Sequence, residues 1–460
     1  MAKNPVILVH GYSDEGASFQ RWKDILRQNG YDAKIISYVT LTNEVTIKDI
    51  AEGFDRALRV EGGLNGNEPF DAIVHSTGML VIRAWLTIYD ARRRRLNRLI
   101  GLAPASFGSP LADVGRSFLG SIFKGNKETG PDFMEAGDEV LDALELGSGF
   151  TWDLAHRDLL VSQDHPDGFY GPNSDTPYVF IFCGTEPYSG LRGFVNKPGT
   201  DGTVRWAGCS LRTRKVVVDL TRDPARSKSE RRLTVLRGAN IDIPMIPARG
   251  LNHATILSEP TGELQKMVLD ALSISDQGEF TAWHDAQNKI KEDGYSHLSG
   301  KSGSWTQFVV HGVDERGDPV RDFHLQVYID GLDGSQQTEF EMDMHPYARD
   351  KSYRCYHVDL NKLLQAAPAD LKDRLRIRVM ASSGSKLVGY HGHGSERTDS
   401  DMRVINEEGK WDAQLTLAEF GEELQHLFRP FMTTLVELKL NREPMPLSVE
   451  MKNQVCWFEK

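Results

Sequence analysis

One hydroxyl in this chain stands where a nucleophile would. In Phe70-Asp71-Ala72-Ile73-Val74-His75-Ser76-Thr77-Gly78 the apolar run Ala72 to Val74 reads as a buried strand that stops abruptly at Ser76. Beyond it Ile82, Trp85, Leu86 and Tyr89 recur at the spacing of an amphipathic helix. Strand, sharp turn and helix, with serine at the apex, lift a hydroxyl clear of a sheet. The helix N-terminus behind it favours the negative charge that develops on oxygen during acyl transfer. Val74 stands where such a turn usually carries glycine, so a slightly splayed turn is expected.

A serine nucleophile needs a base and an acid to orient it, and beside a sheet of this kind their chain order is serine, acid, histidine. His253 stands in a late loop before a helical pattern carrying Leu264, Val268 and Leu272, and is the choice for the base. Asp201, in Lys197-Pro-Gly-Thr-Asp-Gly-Thr-Val204, follows a late strand and is the choice for the acid. Asp175, Glu186 and Asp219 compete with it; Asp175 precedes its strand and Asp219 sits inside an apolar run. At the other end, the strand Val6-Ile-Leu-Val9 runs into His10-Gly11-Tyr12-Ser13. Glycine there lets the chain turn so that a backbone N–H, that of Tyr12, points at a reacting carbonyl. His10 and His75 adjoin these turns and read as local packing groups.

The elements that must hold these residues follow in order. Phe19, Trp22 and Leu26 mark a helix face stopped by Asn29-Gly30, and Lys34 to Val39 is a second strand. Thr46-Ile-Lys-Asp49 opens a helix as a capping box, with Ile47, Ile50, Ala51, Phe54 and Leu58 on its buried face. Strands at Leu99–Ala103 and Tyr178–Phe182 continue the alternation, which specifies a parallel sheet covered on both faces, and Ile243-Pro-Met-Ile246 leads into the His253 loop. Lys215–Leu220 and Leu233–Leu236 look like an inserted hairpin. The segment 104–170 interrupts the alternation with apolar residues at helical spacing and reads as a cap over the site, the alternative being a small satellite helical core. Phe107, Phe118 and Phe123 are its candidate acyl contacts.

Residues 1–275 resemble an α/β-hydrolase of the bacterial lipase and esterase type. The resemblance rests on His10-Gly11-Tyr12, His75-Ser76-Thr77-Gly78, Thr200-Asp201-Gly202-Thr203-Val204 and Asn252-His253, four segments in the right order. It implies a mostly parallel, doubly wound sheet with a helical cap. It also implies an ester hydrolase in which Ser76 attacks, His253 takes the proton and Asp201 orients it. The N–H groups of Thr77 and Tyr12 would hold the oxyanion. Acyl transfer to another acceptor, polyester cleavage, or a non-catalytic lipid- or partner-binding module are the alternatives.

Composition bounds the rest. The 460 residues are 40% hydrophobic and 26% charged, with a net charge of −11, which speaks against a nucleic-acid partner. The basic run Arg92 to Arg95 reads as the solvated end of the helix behind Ser76. Four cysteines without CxxC spacing suggest neither zinc nor a disulfide framework, and no cofactor is called for. No apolar run reaches the ~18 residues of a membrane span, and the chain enters a core strand at once, so a cytoplasmic location without integral membrane association is expected. The substrate would be a small or lipid ester; oligomeric state is left open. Residues 276–304 read as a helix and Gly/Ser-rich linker. Across 305–460 the period switches to two, as in Leu325, Val327, Ile329 and in Leu375, Ile377, Val379, which predicts an antiparallel β-sandwich-like domain. His391-Gly-His393 with Asp399 and Asp401 reads as a polar loop rather than a metal site.

Overall fold

The structure is a computed structural model. It describes residues 3–12, 16–38, 44–66, 68–90, 95–112, 138–160, 169–170, 176–189, 196–221, 233–237, 243, 245–287, 304–331, 337–366, 371–385, 387–392, 410–416, 427–444 and 459. These divide into two compact units, the first built from 1–213, 237–305 and 430–433, the second from 214–236, 306–429 and 434–460.

The first unit is organised on β1 (Val6–Val9), β2 (Ala33–Ile36), β3 (Phe70–His75), β4 (Leu96–Leu102) and β5 (Tyr178–Gly184). β6 (Thr213–Asp219) and β7 (Leu233–Arg237) come next in the chain but belong to the second unit, and β8 (Met245–Ala248) completes the sheet. The order is β2-β1-β3-β4-β5-β8, every pairing parallel. Every residue of β1, β3, β5 and β8 is buried, the signature of strands covered on both faces. The cover comes from α1 (Gln20–Gln28), α2 (Ile47–Val60), α3 (Gly78–Ile88), α4 (Asp138–Leu144), α5 (Gly149–Asp158) and the helix Gly262–Ser273. The capping box forms as expected: Asp49 N–H donates to Thr46 Oγ1 at 3.2 Å and Thr46 N–H to Asp49 Oδ2 at 2.9 Å. The helical segment 277–287 packs on this sheet, with the Phe280 ring 5.1 Å from Tyr178 and 5.5 Å from Phe180.

Arg95 departs from expectation. It is buried, pairs with Asp55 of α2 at 3.2 Å and lies 5.5 Å from the Trp85 ring. A carboxylate from a neighbouring helix makes that burial tolerable, and local charge pattern could not show it. Late in the chain, 430–433 returns to the first unit, where Ser210 Oγ donates to Phe431 O at 2.7 Å and the Phe431 N–H to Trp305 O at 2.7 Å.

The second unit holds β9 (Trp305–Asp314), β10 (Phe323–Asp330), β11 (Gln337–Phe340), β12 (Asp343–Pro346) and β13 (Tyr353–Asp359). β14 (Leu375–Ser382), β15 (Val388–His391), β16 (Lys410–Thr416) and β17 (Thr433–Pro444) follow. β11-β10-β14-β16 form one antiparallel sheet; β12-β13-β9-β17-β6-β7 form the other, with β15 on β17. The expected hairpin, β6 and β7, is thus part of the larger sheet of this unit. Alternate residues of both sheets, among them Val310, Ile329, Leu375, Val379 and Leu438, meet in one apolar core, which makes a β-sandwich. Asp314 closes the turn after β9, its Oδ1 accepting the N–H groups of Arg316 and Asp318, each at 2.9 Å. His393, Asp399 and Asp401 lie outside the described residues.

Candidate active site

Ser76 follows β3 directly and sits at φ 51°, a left-handed conformation that costs a non-glycine residue roughly 1–3 kcal/mol. The turn closes because its neighbours lack side chains. A Cβ on Gly78 would lie 2.6 Å from Val9 O and 2.8 Å from His10 O, so α3 can start only where glycine lets it touch the end of β1. A Cβ on Gly11 would lie 2.9 Å from Ser76 Cβ, which puts the loop bearing Tyr12 against the serine. Val74 is paired with Val9 and Gly101, and a Cβ on Gly101 would meet Met79 Cε at 2.8 Å. Glycine one strand away from Val74 thus leaves room for the Met79 side chain of α3.

His253 and Asp201 meet in a fully buried pair, Nδ1 to Oδ2 at 2.9 Å. Asp201 Oδ1 accepts the N–H groups of Thr203 at 3.0 Å and Val204 at 2.9 Å, and Cys183 Sγ donates to Oδ2 at 3.6 Å. The His253 backbone is held as well: its N–H donates to Asp201 O at 3.0 Å, and its carbonyl accepts from His75 Nε2 at 3.0 Å. Burial, then the neighbouring His253, holds the His75 pKa well below its ordinary value, so this ring is neutral with its proton on Nε2. The His75 and His253 rings are 4.5 Å apart, and Ser76 is the next residue. With Nδ1–H directed at Asp201, the neutral His253 ring carries its basic lone pair on Nε2. His10 is fixed similarly: Nε2 accepts from Tyr38 N–H at 3.1 Å, which leaves Nδ1–H to donate to Gly11 O at 2.7 Å.

The competing acids are engaged elsewhere. Glu186 accepts from Thr185 Oγ1 at 3.3 Å and Asp219 from Thr221 N–H at 3.1 Å; Asp175 lies outside the described residues.

Among solved structures, phospholipase PlaB from Legionella pneumophila matches 95% of this chain and 94% of its own at 21% identity, with a TM-score of 0.73. The same protein in complex with thio-NAD matches with a TM-score of 0.72. The chain has the α/β-hydrolase fold. No family model and no curated protein matches it.

On this fold the 104–170 insertion is described at 104–112, 138–160 and 169–170, so Phe118 and Phe123 lie outside the described residues. Phe107 is fully buried, its ring 5.7 Å from the Arg83 guanidinium. Arg83, on α3, reaches the insertion through Nε to Asp158 Oδ2 at 2.6 Å and Nη2 to Oδ1 at 2.9 Å, with Nη1 on Ser106 O at 2.6 Å. Tyr170 donates to Asp158 at 2.7 Å. Burial opposes the Arg83 charge, but Asp158 outweighs it and raises the pKa. Sequence reasoning passed over this cluster, although a lone arginine inside Met79-Leu-Val-Ile-Arg83-Ala-Trp-Leu86 is its signal. Among the described residues, no helix is long and apolar enough to cross a membrane and no group of His, Cys, Asp or Glu could hold a metal ion.

Proposed function

We propose that this protein is a serine carboxylic-ester hydrolase acting on apolar or lipid-like esters. The observation that carries the reading is the buried His253–Asp201 pair, held by His75, the residue before a left-handed Ser76. Ser76 Oγ attacks the ester carbonyl while His253 Nε2 takes its proton. The oxyanion is met by the N–H groups of Thr77 and Tyr12, at the mouth of α3 and beside Gly11. The alkoxide leaves with the proton from His253, and water then repeats the sequence to release the acid and restore Ser76. The 104–170 insertion is the candidate acyl surface, and of its three candidate contacts Phe107 is fully buried against Arg83. That the structural neighbour is a phospholipase supports trying phospholipids first among lipid esters.

The test is hydrolysis of a chain-length series of p-nitrophenyl esters, alongside dispersed phospholipid and triglyceride. Ser76→Ala should lower turnover by on the order of 10⁵–10⁶-fold without changing the melting temperature. Turnover near wild type in that variant overturns the assignment.

A further inference from the structure

We propose that the interior of the second unit is a binding site for one unbranched acyl chain, independent of the reaction assigned to Ser76. Between its two sheets lies a cavity of about 120 Å³, lined among the described residues by twenty side chains of which seven are valine. Val327 and Val379 face it from the smaller sheet, Val358 and Val436 from the larger. Valine is short and stiff at χ1, so valines opposed across a sandwich leave a gap that leucine or phenylalanine would close. Phe308 and Phe428 also line it and are only partly buried, so the apolar surface runs from the cavity out to solvent and provides a way in.

The lining selects the guest. Water needs two to four polar partners to occupy such a space, whereas dry apolar cavities of comparable size take apolar molecules. A peptide helix, about 10 Å across, is too wide; a string of methylenes is not. Two of the lining residues add a polar end. Thr434 is fully buried and Tyr356 is 2% exposed, and neither hydroxyl has a hydrogen-bond acceptor among the described residues. Burial pushes the Tyr356 phenol up to about 12, so it keeps its proton. A carbonyl oxygen can accept from either donor, and leaving a buried donor unmet is costly. An acyl group satisfies both demands.

Titration calorimetry of the full chain with sodium alkanoates from hexanoate to tetradecanoate, below micelle formation, tests this. One equivalent should bind with affinity rising about fourfold per added CH₂ until the cavity is full. Val379→Phe, which fills the cavity, should weaken that equivalent at least tenfold. It should leave unchanged any inhibition of soluble-ester turnover by the same alkanoates, which separates this site from Ser76. Equal binding by wild type and Val379→Phe overturns the proposal. If Val379→Phe does not fold, Leu415→Ala enlarges the same space and should move the chain-length optimum upward; an unmoved optimum overturns it equally.

Discussion

The core of the second unit is made of Val, Leu, Ile and Phe from alternating positions on two antiparallel sheets. The first unit, around an all-parallel sheet, adds buried ion pairs to its apolar core: Arg83 with Asp158, Arg95 with Asp55, Arg98 with Asp71 and His253 with Asp201. The contrast shows two ways of specifying an interior. Charge-assisted hydrogen bonds are directional and few arrangements satisfy them, so they hold side chains to the tolerances a reaction needs. An apolar core is specified by volume and tolerates small misfits, including a gap large enough for a ligand.

The sharpest way to break the comparison is at the candidate site. Asp201→Asn keeps the volume but reverses the hydrogen-bond preference at His253, so kcat on a soluble ester should fall about 10⁴-fold. Glu186→Gln should leave kcat within twofold. A larger loss in Glu186→Gln than in Asp201→Asn would move the acid to Glu186.

Next in size is the Arg83 cluster. Arg83→Met strands the Asp158 carboxylate in the interior and should cost about 3–5 kcal/mol in urea unfolding. Replacing both partners, as Arg83→Met with Asp158→Leu, should recover most of that loss. An Arg83→Met cost below about 1 kcal/mol would mean that the pair is not desolvated as its burial indicates.

In the second unit the same kind of change should be milder. Leu440→Met conserves volume in the sandwich and should cost less than about 1.5 kcal/mol, while Leu440→Ala should cost about 2–5 kcal/mol. Equal costs, read from denaturant midpoints, would show that shape rather than volume specifies this core.

The smallest effect is a pH dependence. Burial raises the Asp71 pKa from 3.8 to about 6 despite its pairing with Arg98. Between those values the folded state binds more protons than the unfolded one, so this group's contribution to stability is present at the acid end and falls as pH rises through about 6. Asp71→Asn should remove that part of the slope of melting temperature against pH. A slope identical in both proteins would assign it to other groups.

Local pattern carried a large share of this protein. Continuous apolar runs marked β1, β3 and β5, and period-two alternation marked β10 and β14, because a strand's environment on each face is written in its own residues. The Thr46 capping box and the Ser76 turn were legible for the same reason: each is completed within a few residues. What lay beyond reach is made by residues distant in sequence. The Ser76 neighbourhood had Val74 where glycine is usual, and only the register placing Gly101 beside it shows where the Met79 side chain of α3 finds room. His75 looked like a packing group until the fold brought it to the carbonyl of His253, 178 positions away. Arg95 looked solvated until α2 brought Asp55 to it. A side chain's type states which partner it needs, but whether burial or water supplies that partner depends on which elements pack together, and that is decided only in three dimensions.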